Sequence, residues 1–129
     1  MGITGFAYST GDVLSAADMN SLVQFDVSTK TADYTAVLAD SYQSLIVMNK
    51  ATAVAFKIPT DASVAYPIGT VLTVLSIGAG TVTISAVTPG TTTIASAGAV
   101  SASPTLTQYK SSACLKISAN NWVIVGAVA

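Results

Sequence analysis

Acid–base or nucleophilic chemistry needs an activated side chain beside the group that activates it, and this sequence holds few candidates. Cys114 is the single cysteine, and the 129 residues contain no histidine to draw its proton away. Its neighbours, Ala113-Cys114-Leu115-Lys116-Ile117, read as a strand. The thiol is therefore expected to be a small core or interface side chain, and with one cysteine no intrachain disulfide can form. The carboxylates are Asp12, Asp18, Asp26, Asp33, Asp40 and Asp61. Their loose spacing holds no pair poised to flank a glycosidic bond and no carboxylate-dense calcium loop; they are expected to cap turns and keep the chain soluble. No Ser-x-x-Lys sits on a strained turn. Gly78 and Gly80 open no helix and precede no Gly-Lys-Ser/Thr, so a phosphate loop is not expected. The expectation is a protein that is not an enzyme and takes no cofactor or metal. Nine aromatic residues remain: Phe6, Tyr8, Phe25, Tyr34, Tyr42, Phe56, Tyr66, Tyr109 and Trp122. Of these, Tyr42 and Tyr66 fall near turns and are the expected exposed rings on which a sugar could stack.

The charges are sparse. Five Lys and six Asp are the whole complement, with no Arg and no Glu, and the net charge is −1. Without a guanidinium fork or a basic patch, nucleic-acid binding is not expected. Mean hydropathy is +0.64, yet Ser, Thr, Gly and Pro interrupt every apolar stretch. None approaches the ~20 residues of a spanning helix. Met1-Gly2-Ile3-Thr4-Gly5-Phe6 has neither the charged nor the apolar region of a signal peptide, so synthesis in a cytoplasm is expected. Hydroxyls do the polar work: 17 Thr and 15 Ser. Eleven charges over the ~6,300 Å² surface of such a chain protect it poorly against association. Much of that surface is expected to be covered by other subunits or by a larger assembly.

Two regions differ in pattern. Over residues 1–30, Leu14-Ser15-Ala16-Ala17-Asp18-Met19 reads as a helix start, with Ser15 as N-cap and Asp18 answering it three residues on. The helix is two to three turns at most, so it must dock on something. Residues 31–129 read as a β domain. Thr81–Ala86 alternates hydroxyl and apolar residues, Val71–Ile77 precedes it, and Gly78-Ala79-Gly80 is expected to join the two as a hairpin. A second hairpin is expected from Leu115–Ser118 through Ala119-Asn120-Asn121 into Trp122–Val125. Further strands are expected at Tyr34–Leu38, Ser44–Asn49, Ala53–Ile58, Thr91–Ser96 and Thr105–Tyr109, with all four prolines between the runs. The fold expected is all-β, a small antiparallel sandwich or barrel behind an N-terminal arm carrying one short helix. Trp122–Val125 is apolar on both faces, so it is either central in a sheet or buried between subunits, and the second is preferred.

Two stretches carry a resemblance. Gly11-Asp12-Val13-Leu14-Ser15-Ala16-Ala17-Asp18-Met19-Asn20-Ser21-Leu22 resembles the N-terminal segment of tailed-phage appendage proteins. The succession Asp33–Asp40, Leu45–Asn49, Ala53–Pro59, Tyr66–Thr70, Gly78–Gly80, Leu115–Ile117 and Asn121–Gly126 is similar to a β-rich module of phage tail fibres and capsid decoration proteins. The resemblance implies a virion component and a homotrimer, and transfers no catalytic or binding residue. The chain ends close to the module's last strand, so a decoration (cement) protein on the major capsid protein is expected ahead of a shafted fibre. A receptor- or glycan-binding appendage and a minor tail or neck protein are the alternatives. On the decoration reading, Phe6, Tyr8, Leu14 and Phe25 are the expected capsid contacts, and Trp122, Val123 and Val125 the expected trimer interface.

Overall fold

A computed structural model describes residues 24–128, apart from 43, 97 and 101, together with residue 16. The helix read at Ser15, and Phe6, Tyr8 and Leu14, lie outside the described residues. Period-two alternation continues through most of the rest and produces β-strands that shuttle between two sheets. β1 (Asp26–Lys30), β3 (Ser44–Met48) and β5 (Val71–Ser76) belong to sheet A. β2 (Tyr34–Thr35), β4 (Val54–Ile58) and β6 (Val82–Ala86) belong to sheet B. Successive members within each sheet are parallel. Parallel neighbours need a crossover, ordinarily a helix; here the crossover is a strand of the opposite sheet. The first half of the described chain thus winds as a coil, each turn adding one strand to each sheet. Asp26–Lys30, the last residues of the segment read as an arm, form its first strand and pair with β3.

The chain then closes the coil. β7 (Thr93–Ser96), β8 (Ala99–Val100), β9 (Thr105–Leu106), β10 (Ser111–Ser118) and β11 (Asn121–Gly126) complete the order β1-β3-β5-β10-β11-β7-β8 in sheet A and β2-β4-β6-β9 in sheet B. β10 lies antiparallel on β5 and β9 antiparallel on β6, so both edges of the last turn are covered. The hairpin expected through Asn120 is present as β10–β11, with Asn120 at φ 49° in the left-handed region.

The hairpin expected at Gly78-Ala79-Gly80 is not. β5 and β6 are in different sheets, and the three residues turn the corner between them. This corner lies directly on the one before it. Leu45 stands opposite Thr73 and Val54 opposite Val82, 28 residues on in both sheets. The ladder continues between them, Gly80 N–H donating to Lys50 O at 2.9 Å and Val54 N–H to Thr81 O at 3.0 Å. A Cβ on Gly78 would lie 2.3 Å from Lys50 O, and one on Gly80 1.8 Å from Thr52 O. Stacked corners admit no side chain there, and close approach explains these glycines without any need for positive φ.

Both sheets contribute to a single core cluster. Ile46, Met48, Leu72, Val74, Cys114 and Trp122 come from sheet A, and Val54, Phe56, Ile58, Val82, Ile84 and Leu106 from sheet B. Each large aliphatic or aromatic side chain buried there contributes roughly 1.5–3 kcal/mol. The all-β expectation stands. The antiparallel one is corrected: both sheets are mixed, because the first six strands alternate between sheets and return parallel while later strands add antiparallel pairs. β11 is central, between β10 and β7, and its double-sided apolar pattern has this intramolecular reason. Among the described residues no helix is long and apolar enough to cross a membrane.

Candidate functional site

The ionisable side chains of the described residues mostly tie the fold together. Lys116, on an inward position of β10, is 3% exposed. Its ammonium donates to Asp61 Oδ1 at 2.8 Å and to Tyr66 O at 2.6 Å. Asp61 and Asn120 bond reciprocally, Asn120 N–H to Asp61 Oδ2 at 3.0 Å and Asp61 N–H to Asn120 Oδ1 at 2.8 Å. The loop after β4 is thereby fastened to the β10–β11 turn. Burial alone would raise the Asp61 pKa. The Lys116 hydrogen bond, the Asn120 N–H and the Lys116 charge together outweigh burial and hold the carboxyl below its usual range.

A second tie centres on Asp40, buried in the 3₁₀ turn Leu38–Ser41. It accepts Tyr34 O–H at 2.6 Å and Val37 N–H at 2.9 Å, and Tyr66 O–H donates to Val37 O at 2.7 Å. Burial, then the bond to Asp40 and its charge, push the Tyr34 phenol well up. Burial, then the charge of Asp40, do the same for Tyr66. Lys30 lies 4.3 Å over the Tyr34 ring. Among the described residues no group of His, Cys, Asp or Glu is arranged to hold a metal ion. Cys114 is fully buried, and burial pushes its thiol up to about 12, the state of an inert structural cysteine.

What the fold leaves outward is a contrast between the two sheets. On sheet B the outward rows are Thr35, Lys57, Ser85 and Ala55, Thr83, Thr105, small and mostly hydroxylic apart from Lys57. On sheet A one row runs Val27, Leu45, Thr73, Ala113, Val125 across five strands. The next runs Val71, Leu115, Val123, Ala95, Val100. A third, Thr29, Val47, Leu75, Ser111, lies on the other side of the first, with Val47 itself buried. No Lys or Asp stands on any of them. Val27 and Val100, at opposite ends, are 63% and 73% exposed. At ~4.8 Å between strands and ~6.8 Å between rows, these fourteen positions make a stepped face of roughly 450 Å². A face of this size matches the largest patch of a typical monomer, which is often functional. At its corner a cleft of about 300 Å³ is lined by Phe25, Ser44, Gly69, Val71 and Thr73, among others.

The residues singled out from sequence divide accordingly. Phe25 is 55% exposed beside that cleft, available for contact. Val123 and Val125 point outward on sheet A, on two adjacent rows. Trp122 does not join them, and its assignment to a subunit interface is corrected. It is fully buried in the chain's own core, edge-on to Tyr66 with centroids 5.5 Å apart. Tyr66 is corrected too: at 3% exposed, with its hydroxyl bonded internally, it offers no ring to a sugar. Sequence reasoning missed most of the outer face. The signal was there in Leu45-Ile46-Val47-Met48, apolar on both parities like Trp122–Val125, since strands of parallel character with both faces covered read as unbroken apolar runs. Comparisons of the chain with protein families, with curated proteins and with solved structures gave no match.

Proposed function

We propose that this chain is a capsid decoration (cement) protein of a tailed phage, a homotrimer that binds the outer surface of the major capsid protein and stabilises the shell. The observation that carries the reading is the charge-free apolar face of sheet A, which suits contacts made by area and shape. The fastening of Lys116, Asp61 and Asp40 into structural ties agrees with a protein that works by binding. We read the two sheets as the layers of a flattened sandwich. Phe25, with Phe6, Tyr8 and Leu14 from the segment before it, is assigned to the capsid contact, and Val123 and Val125 to the trimer. Cementing follows from linkage: a ligand that binds the assembled shell alone stabilises it by about 2.7 kcal/mol at a hundredfold excess over Kd.

The test is addition of the purified chain to shells that lack it. Saturable binding, at a copy number comparable to the major capsid protein, with a rise in shell disruption temperature, is the expected result. Absence of binding, or binding without any rise, overturns the proposal. A copy number in purified virions far below that of the capsid protein places the chain in the tail or neck.

A further inference from the structure

We infer that the outer face of sheet A is where copies of this chain meet, three such faces turned toward the axis of the proposed homotrimer. The inference rests on the proposed function only for the expectation of an oligomer; the surface is argued from the fold. Parallel sheets are rarely left open on an apolar side, and here Val27, Val71, Val125 and Val100 on the outer rows stay 44–73% exposed, with Val47 alone among the outward aliphatics buried. Two properties favour a second copy as the occupant. The first is charge: a face bearing Lys or Asp would meet its own like charges in a self-contact, whereas rows of Val, Leu, Ala and Thr are complementary to themselves. The chain's net charge of −1 adds little long-range repulsion. The second is area. Three faces of roughly 450 Å² bury on the order of 1,350 Å² in total, above the ~1,000 Å² that a specific interface needs.

The experiment is sedimentation equilibrium on the purified full chain with no shells present. Wild type and the sheet B variant Thr83→Asp should sediment at a whole-number multiple of 13.0 kDa. Leu115→Asp/Val123→Asp should fall to the single-chain mass with an unchanged circular dichroism spectrum. A wild type that is monomeric at every concentration, or a double variant that keeps the parent mass, overturns the inference. Val123→Cys gives a route that leaves the charge alone. Buried Cys114 stays unlabelled in the native state, so a bis-maleimide should couple Val123→Cys chains to each other and leave Thr83→Cys chains single. Equal coupling of both overturns the inference. A monomeric wild type that still binds shells would remove this interface and the trimer and keep the shell-binding part of the cement reading; an oligomer that ignores shells does the reverse.

Discussion

Gly80→Ala separates the stacked-corner geometry from ordinary glycine effects, because the two predict opposite signs. Gly80 does not have positive φ. Where the backbone is compatible and space is open, Gly→Ala stabilises by about 0.4–1 kcal/mol through the unfolded chain. At Gly80, however, the new Cβ would lie 1.8 Å from Thr52 O, 2.2 Å from Thr52 C and 2.9 Å from Lys50 O. Backbone atoms cannot swing away as a side chain can. Reaching even the 3.0 Å limit of real Cβ contacts requires the corners to part by more than 1 Å. The Gly80–Lys50 bond at 2.9 Å and the Val54–Thr81 bond at 3.0 Å would stretch with it. Two bonds at about 1 kcal/mol each, and the packing lost beside them, put the net destabilisation at roughly 2–4 kcal/mol. Gly90→Ala is the matched control: nothing lies within 4 Å and φ is not positive. It should be neutral or stabilising by up to about 1 kcal/mol. Urea denaturation followed by fluorescence of the single, buried Trp122 reads both. A Gly80→Ala protein as stable as Gly90→Ala would refute the stacking of these corners.

Other consequences follow from the ties and the core. Asp61→Asn should destabilise by about 2–4 kcal/mol, because it strands the buried Lys116 ammonium; adding Lys116→Met should restore part of the loss, read by the same denaturation. Asp61 is held below its unfolded pKa, so its stabilisation is complete above the ordinary carboxylate range and is lost as pH falls through the folded value. Asp61→Asn should accordingly flatten the acid limb of a stability–pH curve. Tyr34 and Tyr66 are raised, so their contribution is constant up to about pH 10, where unfolded tyrosine ionises, and declines above it. In a spectrophotometric titration both should ionise together with alkaline unfolding, and Tyr34→Phe or Tyr66→Phe should remove amplitude from that late step. Trp122→Asp should abolish folding itself, seen as loss of the native circular dichroism spectrum, since the carboxylate would be buried at a site with no exposure.

Strand positions were legible because alternation and proline placement are local properties. Val54–Ile58 and Val71–Ser76 emerge nearly residue for residue from the pattern. Pairing was not legible, and Gly78-Ala79-Gly80 shows why. Small residues announce that the chain reverses; they do not say whether the next strand returns alongside the last or crosses to the opposite sheet. The coil is also concealed as a repeat. Between residues 45–58 and 73–86, which lie one turn apart, only Ala51/Ala79 and Val54/Val82 coincide. The preceding turn has other lengths, Leu45 following Val27 by 18 residues and Phe56 following Tyr34 by 22. Stacking demands only apolar inward positions and small corner residues, and many sequences meet that without self-similarity.

The outer face of sheet A was half visible for a related reason. Composition points to covered surface, and Trp122–Val125 is apolar on both sides in the sequence. Ascribing that strand to an interface merged two causes that the fold separates. Trp122 and Ile124 are apolar because the chain's own core needs them, and Val123 and Val125 because they stand on rows shared with Val71, Leu115, Thr73 and Ala113. Each outward residue alone is an unremarkable exposed valine or alanine. Only the register, which aligns residues up to a hundred positions apart in the chain, turns them into one surface with no charge on it. The same register predicts that a charge will act by its row and not by its sequence neighbourhood. Val27→Asp, far from β11 in sequence but on the row of Val125, should weaken self-association as Val125→Asp does, and neither should unfold the monomer. Sedimentation that separates the two, with Val27→Asp retaining the parent mass, would show that the face does not act as a unit.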